Sequence, residues 1–292
     1  MPAMFDILAE SPLFFLSVVF IVSLMVGSFL NVVIYRLPVM MEREWQQMYQ
    51  DYFHPNDASS KVSETFNLVK PDSTCPKCQH KIRAWENIPV LSWLFLRGKC
   101  SQCKNPISFR YPAVELLTAI ASTIIAWHFG YGLAGAMAVI LTWSLMALIF
   151  IDIDKMLLPD QITLPLLWLG LILSVFNIFV PAQDAIIGAV AGYLSLWSVY
   201  WLFKLATGKE GMGYGDFKLL AALGAWIGWQ HLAIIILLSS IVGAIIGLSY
   251  LVVRGKDKGS HIPFGPYLAI AGWLTLILGQ DIADFYWQWA FT

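Results

Sequence analysis

From Tyr111 onward the chain is almost continuously apolar, and this constrains its fold more than any other feature. In lipid, a backbone segment must satisfy its own N–H and C=O groups, so an apolar run of about 20 residues becomes a spanning helix. The run is broken at "HFGYG" (128–132), "DIDKMLLPDQ" (152–161), "VPAQD" (180–184), "KLATGKEGMGYGDFK" (204–218), "GWQH" (228–231) and "RGKDKGSHIPFGP" (254–266). These breaks divide it into seven candidate helices of about 13–23 residues, with "LLAALGAW" short enough to be a half-span. Bulk composition agrees: 58% of the 292 residues are hydrophobic and 13% charged, where soluble domains carry about 25% charged residues.

Leu13 to Tyr35 adds 23 residues without a charge, long enough to span a bilayer. No Lys or Arg precedes Arg36, so this segment lacks the basic flank of a secretory signal and reads as a retained first helix. A polar segment, 37–111, follows and holds all four cysteines and most of the basic residues. Placing it in the cytoplasm and alternating from there puts Lys155, Lys204, Lys209, Lys218, Arg254, Lys256 and Lys258 on the same side. The opposite loops then contain no Lys or Arg, which satisfies the positive-inside rule for every one of the 18 basic residues. The expectation is an all-α polytopic membrane protein of about eight transmembrane helices with a small cytoplasmic zinc-binding insertion. Its parts are a first helix (1–36), a zinc-binding domain (37–111) and a seven-helix membrane domain (112–292). No internal repeat or low-complexity tract is evident.

"CPKC" (75–78) and "CSQC" (100–103) are two C-x2-C pairs separated by 21 residues. Each pair places two thiolates on one tight knuckle, and two knuckles complete a tetrahedral site suited to zinc. Disulfides are the competing reading, disfavoured in a reducing cytoplasm. Four thiolates, Cys75, Cys78, Cys100 and Cys103, leave no open position for water, so such a zinc is structural. The neighbouring Lys77, Lys81, Arg97, Lys99 and Lys104 offset their charge. Positive charge belongs to any cytoplasmic loop, so the module implies no nucleic-acid partner.

Ionisable residues within apolar segments are costly and are functional candidates. Glu115 reads as an interfacial acid or a favourable N-terminal charge one turn into the second helix, and Asp281 and Asp284 as solvated. The informative set is Asp152, Asp154 and Asp160 in "FIDIDKMLLPD" with Asp216 in "GMGYGDFKLL". Asp152 closes one helix and Asp216 opens another at the same predicted depth. Two aspartates in contact share one proton, and such a pair hydrolyses peptides without a metal. Gly211, Gly213 and Gly215 would let backbone approach a substrate strand. Asp216 sits at a helix N-terminus, where the dipole favours an anion, and Asp152 at a C-terminus, where it does not. On that argument Asp216 is the ionised base and Asp152 carries the shared proton. Spacing alone does not separate Asp152 from Asp154, and Asp160 serves equally as a helix cap. Lys218 is expected to snorkel to the headgroups.

Taken together and in order, "GSFLNVVIYRLP" (27–38), the two cysteine pairs, "DIDKMLLPD" and "GMGYGDFKLL" resemble the bacterial type IV prepilin leader peptidase/N-methyltransferase family, over essentially the whole chain. The resemblance implies a bifunctional enzyme of the bacterial inner membrane. Such an enzyme cuts the short basic leader of prepilins and type II secretion pseudopilins on the cytoplasmic side, after a glycine. It then methylates the new amino terminus with S-adenosylmethionine. The family's catalytic aspartates fall on Asp152 and Asp216, and its zinc ligands on Cys75, Cys78, Cys100 and Cys103. No G-x-G-x-x-G fingerprint follows a strand, so methylation rests on resemblance alone. Asn31 and Arg36 either serve that activity or pack and anchor.

Two other classes compete. A proton- or cation-coupled transporter would use buried acids near a helix break, although such sites lie nearer the midplane and need no zinc module. A membrane scaffold would use the cysteine module and leave the aspartates idle.

Overall fold

A computed structural model describes residues 8–53, 65–254 and 263–291. Lys61, Lys256 and Lys258, used in the orientation argument, lie outside the described residues. The described residues are mainly helical and contain no strand, only two isolated β-bridges in the cysteine module. In chain order the helices are α1 (Pro12–Phe53), α2 (Leu91–Phe95), α3 (Arg110–Phe129), α4 (Leu133–Lys155), α5 (Asp160–Val175), α6 (Ala182–Thr207), α7 (Tyr214–Ile227), α8 (Leu232–Arg254) and α9 (Gly265–Phe291). All but α2 occupy the apolar stretches read from sequence. Among the described residues, five helices are long and apolar enough to cross a membrane: α1, α3, α4, α6 and the stretch Trp229–Ser249. At 14 residues α7 rises only about 21 Å, short of the roughly 30 Å hydrocarbon layer.

The chain divides into two compact units, 1–131 and 132–292. In the first, α1 does not stop near residue 36. It continues through Pro38 to Phe53, so the boundary predicted from the first charge is not a helix end. One turn beyond Arg36 the helix is still partly buried, and from Glu42 to Phe53 it is exposed. α1 packs along α3, and Gly27 makes the approach possible: a Cβ there would lie 2.8 Å from the Glu115 Cα.

The second unit is organised around α7. All of its residues from Leu219 to Ile227 are buried, with Leu219, Leu220 and Leu223 fully so. A helix apolar all round belongs inside a bundle, and α7 is enclosed by α5, α6 and α9. Lipid tails are as apolar as leucine, so close backbone approach must hold such helices together. Gly188 and Gly192, one turn apart on α6, supply it. A Cβ on Gly188 would fall on the Gly224 carbonyl of α7, and one on Gly192 would lie 2.7 Å from the Leu220 carbonyl oxygen. α5 is fastened by Trp226, whose indole N–H donates to the Leu166 carbonyl at 2.8 Å. A Cβ on Gly170 would collide with that indole. The result places the end of α4 and the starts of α5, α7 and α9 together.

Candidate active site and thiol cluster

Asp152 lies in the last turn of α4, which ends at Lys155 with Met156 in a left-handed conformation, φ 51°. Its side chain is buried, and Oδ2 accepts the backbone N–H of Gly265, the first residue of α9, at 3.0 Å. Asp216 lies in the first turn of α7 and is also buried, its backbone N–H donating to the Gly213 carbonyl at 3.3 Å. Leu158 lies against both positions: a Cβ on Gly265, whose N–H holds Asp152, would meet its Cδ atoms at 3.1 Å, and one on Gly215, the residue before Asp216, would meet its Cβ at 2.8 Å. Asp154, two residues later and therefore on the opposite face of α4, is exposed. Burial therefore separates two residues that spacing could not.

The helix-dipole argument for dividing their roles loses its force. Asp152 does sit at the C-terminal end of its own helix, but an N–H from the first turn of α9 points at it. Asp152 thus has a backbone donor from a helix start, and Asp216 itself lies in the first turn of one. Nor do the glycines before Asp216 act by unusual torsion, since none has positive φ. Gly211 and Gly215 are required by contact: a Cβ would lie 2.9 Å from the Phe203 ring and 2.8 Å from the Leu158 Cβ, respectively. The segment leading into them is held by Lys204, which donates to Glu210 at 2.8 Å and to the Tyr200 hydroxyl at 3.2 Å. Tyr200, Tyr214 and Phe217 pack edge-on and tilted beside it.

Lys218 does not simply reach for headgroups. Its ammonium donates to both oxygens of Asp160, each at 2.7 Å, and joins the starts of α5 and α7. Asp160 is not the cap that the sequence suggested: Pro159 holds that position with no side-chain cap bond, and Asp160, the first residue of α5, is engaged by the Lys218 ammonium instead.

In the first unit the four cysteines are free thiols, and their Sγ atoms all lie within 4.8 Å of one another. Cys75 and Cys103 approach to 3.7 Å, and Cys78 and Cys100 to 4.0 Å, too far for the roughly 2.05 Å of a disulfide. A tetrahedron with metal–sulfur bonds of about 2.3 Å has edges of about 3.8 Å, so the set can hold a metal ion. The two knuckles are built alike. The Cys75 N–H donates to the His80 carbonyl and the Cys100 N–H to that of Asn105, while Gln79 and Lys104 adopt φ of 58° and 57° just after each pair. N–H groups of Cys78 and Lys77 hold the Cys75 thiol down at about 6. Beside the knuckles, Glu86 accepts the Arg83 N–H and pairs with His80. That N–H bond, chief among several, depresses its carboxyl to about 2.

The module is tied to the helix pair by residues that the sequence left open. The Arg36 guanidinium, buried, donates to the Asn67 and Pro71 carbonyls at 3.0 and 2.7 Å. Asn31 donates to the Tyr111 carbonyl at 3.2 Å. Both side chains anchor backbone. Glu115 is buried, and Oε2 accepts the Val90 N–H at 2.7 Å. Val90 itself is held at φ 60°, a torsion β-branched residues seldom adopt. Glu115 and Gly265 are the residues that sequence reasoning missed. The acid was visible in "RYPAVELL", but its partner is 25 residues upstream and a backbone group.

Comparison with known proteins bears on both units. Residues 21–129 match the bacterial peptidase A24 N-terminal domain, and 139–248 match the type IV leader peptidase family. A prepilin leader peptidase/N-methyltransferase of Aeromonas salmonicida is 58% identical over 275 residues, covering 94% of each chain. One of Pseudomonas aeruginosa is 56% identical over 285 residues, covering 98% of each, and one of Legionella pneumophila 48% identical over 275 residues, covering 94% of this chain and 95% of its own. No solved structure matches. The transporter reading finds no support among these relatives. With two family models in register and relatives matched almost end to end, the chain belongs to the type IV leader peptidase family.

Proposed function

We infer that this chain is a membrane endopeptidase that removes the leader peptide of type IV prepilins and then N-methylates the new amino terminus. The observation that carries the peptidase is the burial of Asp152 and Asp216 at helix ends that both pack against Leu158, inside the stretch matched to the peptidase family. The pair holds one shared proton. Its ionised member takes a proton from water as the water oxygen attacks the peptide carbonyl, and its protonated member donates to the carbonyl oxygen. Collapse of the tetrahedral intermediate then breaks the C–N bond, with the proton passing to the leaving amine.

We place eight helices in a bacterial inner membrane, the short α7 crossing where the bilayer thins locally, with the thiol module and the aspartates on the cytoplasmic side, as the distribution of Lys and Arg favours. Type II secretion pseudopilins join prepilins as substrates on the same reading. Cys75, Cys78, Cys100 and Cys103 hold a zinc ion, which cross-links the two knuckles and does no chemistry on substrate. S-adenosylmethionine supplies the methyl group. The groove around Trp45 lies on one face of α1 alone, and that around Gln161 is lined mainly by aliphatic residues. Neither suits a nucleoside, and methyl transfer is assigned on family membership.

The test is incubation of purified protein in detergent with a full-length prepilin and isotopically labelled S-adenosylmethionine, read by intact-mass spectrometry. The expected product is a leaderless chain carrying one labelled methyl on its amino terminus. Uncleaved prepilin with protein that is folded and metal-loaded would refute the peptidase, and a cleaved but unmethylated product would refute the second activity.

A further inference from the structure

We propose that Gly265 is a positioning residue for the Asp152 carboxylate, and that the first turn of α9 thereby forms a third wall of the site beside α4 and α7. The proposal rests on the aspartyl reading of Asp152 and Asp216 given above. Three observations converge on it. The Gly265 N–H donates to Asp152 Oδ2 at 3.0 Å in a buried setting. A methyl group at position 265 would lie 2.6 Å from that same oxygen and 3.1 Å from both Cδ atoms of Leu158. Leu158 in turn sits with its Cβ 2.8 Å from where a side chain on Gly215 would begin. A single leucine is therefore wedged between two glycines, one opening α9 and one beside Asp216 in the opening turn of α7.

The local sequence explains why this donor is available. The first N–H groups of a helix have no acceptor within it. In "PFGP" (263–266) the next residue, Pro266, has no N–H at all and is suited by its fixed φ to a helix start. Gly265 is thus the donor that the start of α9 presents to Asp152. It supplies a favourable field to a carboxylate whose own helix end disfavours the anion. With Oδ2 anchored, Oδ1 is the oxygen that exchanges the proton with Asp216 or water. Any side chain at 265 would push the anchored oxygen aside, which is why glycine is needed although its torsion is ordinary.

The test measures prepilin cleavage by Gly265→Ala and Gly265→Pro, beside Asp152→Asn and Asp216→Asn, with melting temperature in detergent as the control for folding. Alanine keeps the donor and displaces the carboxylate. It is expected to lower kcat about a hundredfold with KM little changed, the cost of misplacing a reacting group by about an ångström. Proline also removes the donor. It is expected to move the acidic limb of the pH–rate profile upward by about one unit relative to alanine. Should Gly265→Ala melt early, Gly265→Ala with Leu158→Ala relieves the leucine contacts and leaves the clash with Asp152. That variant is expected to regain melting temperature and remain slow. Recovery of both stability and kcat would reduce Gly265 to a packing residue and overturn the proposal. So would wild-type kcat in Gly265→Ala while Asp152→Asn is inactive. An active Asp152→Asn would instead overturn the aspartyl reading on which the proposal stands.

Discussion

Breaking the Lys218–Asp160 pair should weaken the fold measurably and leave the chemistry nearly intact. The ammonium lies 2.7 Å from both carboxylate oxygens, with side-chain exposures of 30% for Lys218 and 49% for Asp160. At that separation and an effective dielectric constant of about 20 the attraction is about 6 kcal/mol. Desolvation of the ammonium and the ordering of a long side chain offset most of it, leaving a coupling of about 1 kcal/mol. The two single variants are not equivalent. Lys218→Met keeps most of the packed stem and leaves Asp160 half in water. Asp160→Asn leaves a mostly buried ammonium without its counter-charge and should cost more, about 1–2 kcal/mol, or about 2–6 °C in melting temperature. A double-mutant cycle by thermal unfolding in detergent, at low and high salt, isolates the coupling. Cleavage by Asp160→Asn should stay within a few-fold of wild type. Additive single effects at low salt would refute the pairing. Loss of cleavage in a folded Asp160→Asn would move Asp160 into the chemistry.

Other perturbations have equally specific outcomes. Cys100→Ser should abolish stoichiometric metal in the purified protein, measured by inductively coupled plasma mass spectrometry, and expose 67–109 to protease; full metal retention would show that the four thiols are not the ligand set. Glu115→Ala leaves the Val90 N–H without its acceptor and should cost about 1–3 kcal/mol. Glu115→Gln keeps an acceptor and should cost less, so equal proteolytic release of the cysteine module in the two variants would contradict the proposed tie. Gly192→Val places bulk 2.7 Å from the Leu220 carbonyl oxygen and should cost about 1–3 kcal/mol in thermal unfolding; an unchanged melting temperature would show that α6 and α7 do not touch there.

What could be read from sequence followed the reach of each signal. Apolar run length found the eight longer helices because a span leaves its mark in contiguous residues. It misjudged the end of α1, because the charge at Arg36 ends an apolar run without ending a helix. The cysteine pairs were legible because metal geometry demands a fixed spacing. The near-symmetry of their two knuckles was not, since Gln79 and Lys104 share a torsion and no chemistry. At the site, Asp152 and Asp216 stood out as acids in apolar settings. Choosing Asp152 over Asp154 needed burial, which depends on which face of α4 meets its neighbours. Gly265 was out of reach altogether, because its contribution is a backbone N–H 113 residues from the carboxylate it serves. Lys218 and Asp160, 58 residues apart, were read as a headgroup-seeking lysine and a helix cap for the same reason.

The central claim is that Asp152 and Asp216 together perform the cleavage. The most direct test compares prepilin cleavage by wild type, Asp152→Asn, Asp154→Asn, Asp160→Asn and Asp216→Asn, each purified in detergent and shown to melt like wild type. The account predicts that Asp152→Asn and Asp216→Asn lose activity by about a hundredfold or more, as removal of a general acid or base requires, while the other two keep it. Retained cleavage in a folded Asp152→Asn or Asp216→Asn would contradict it.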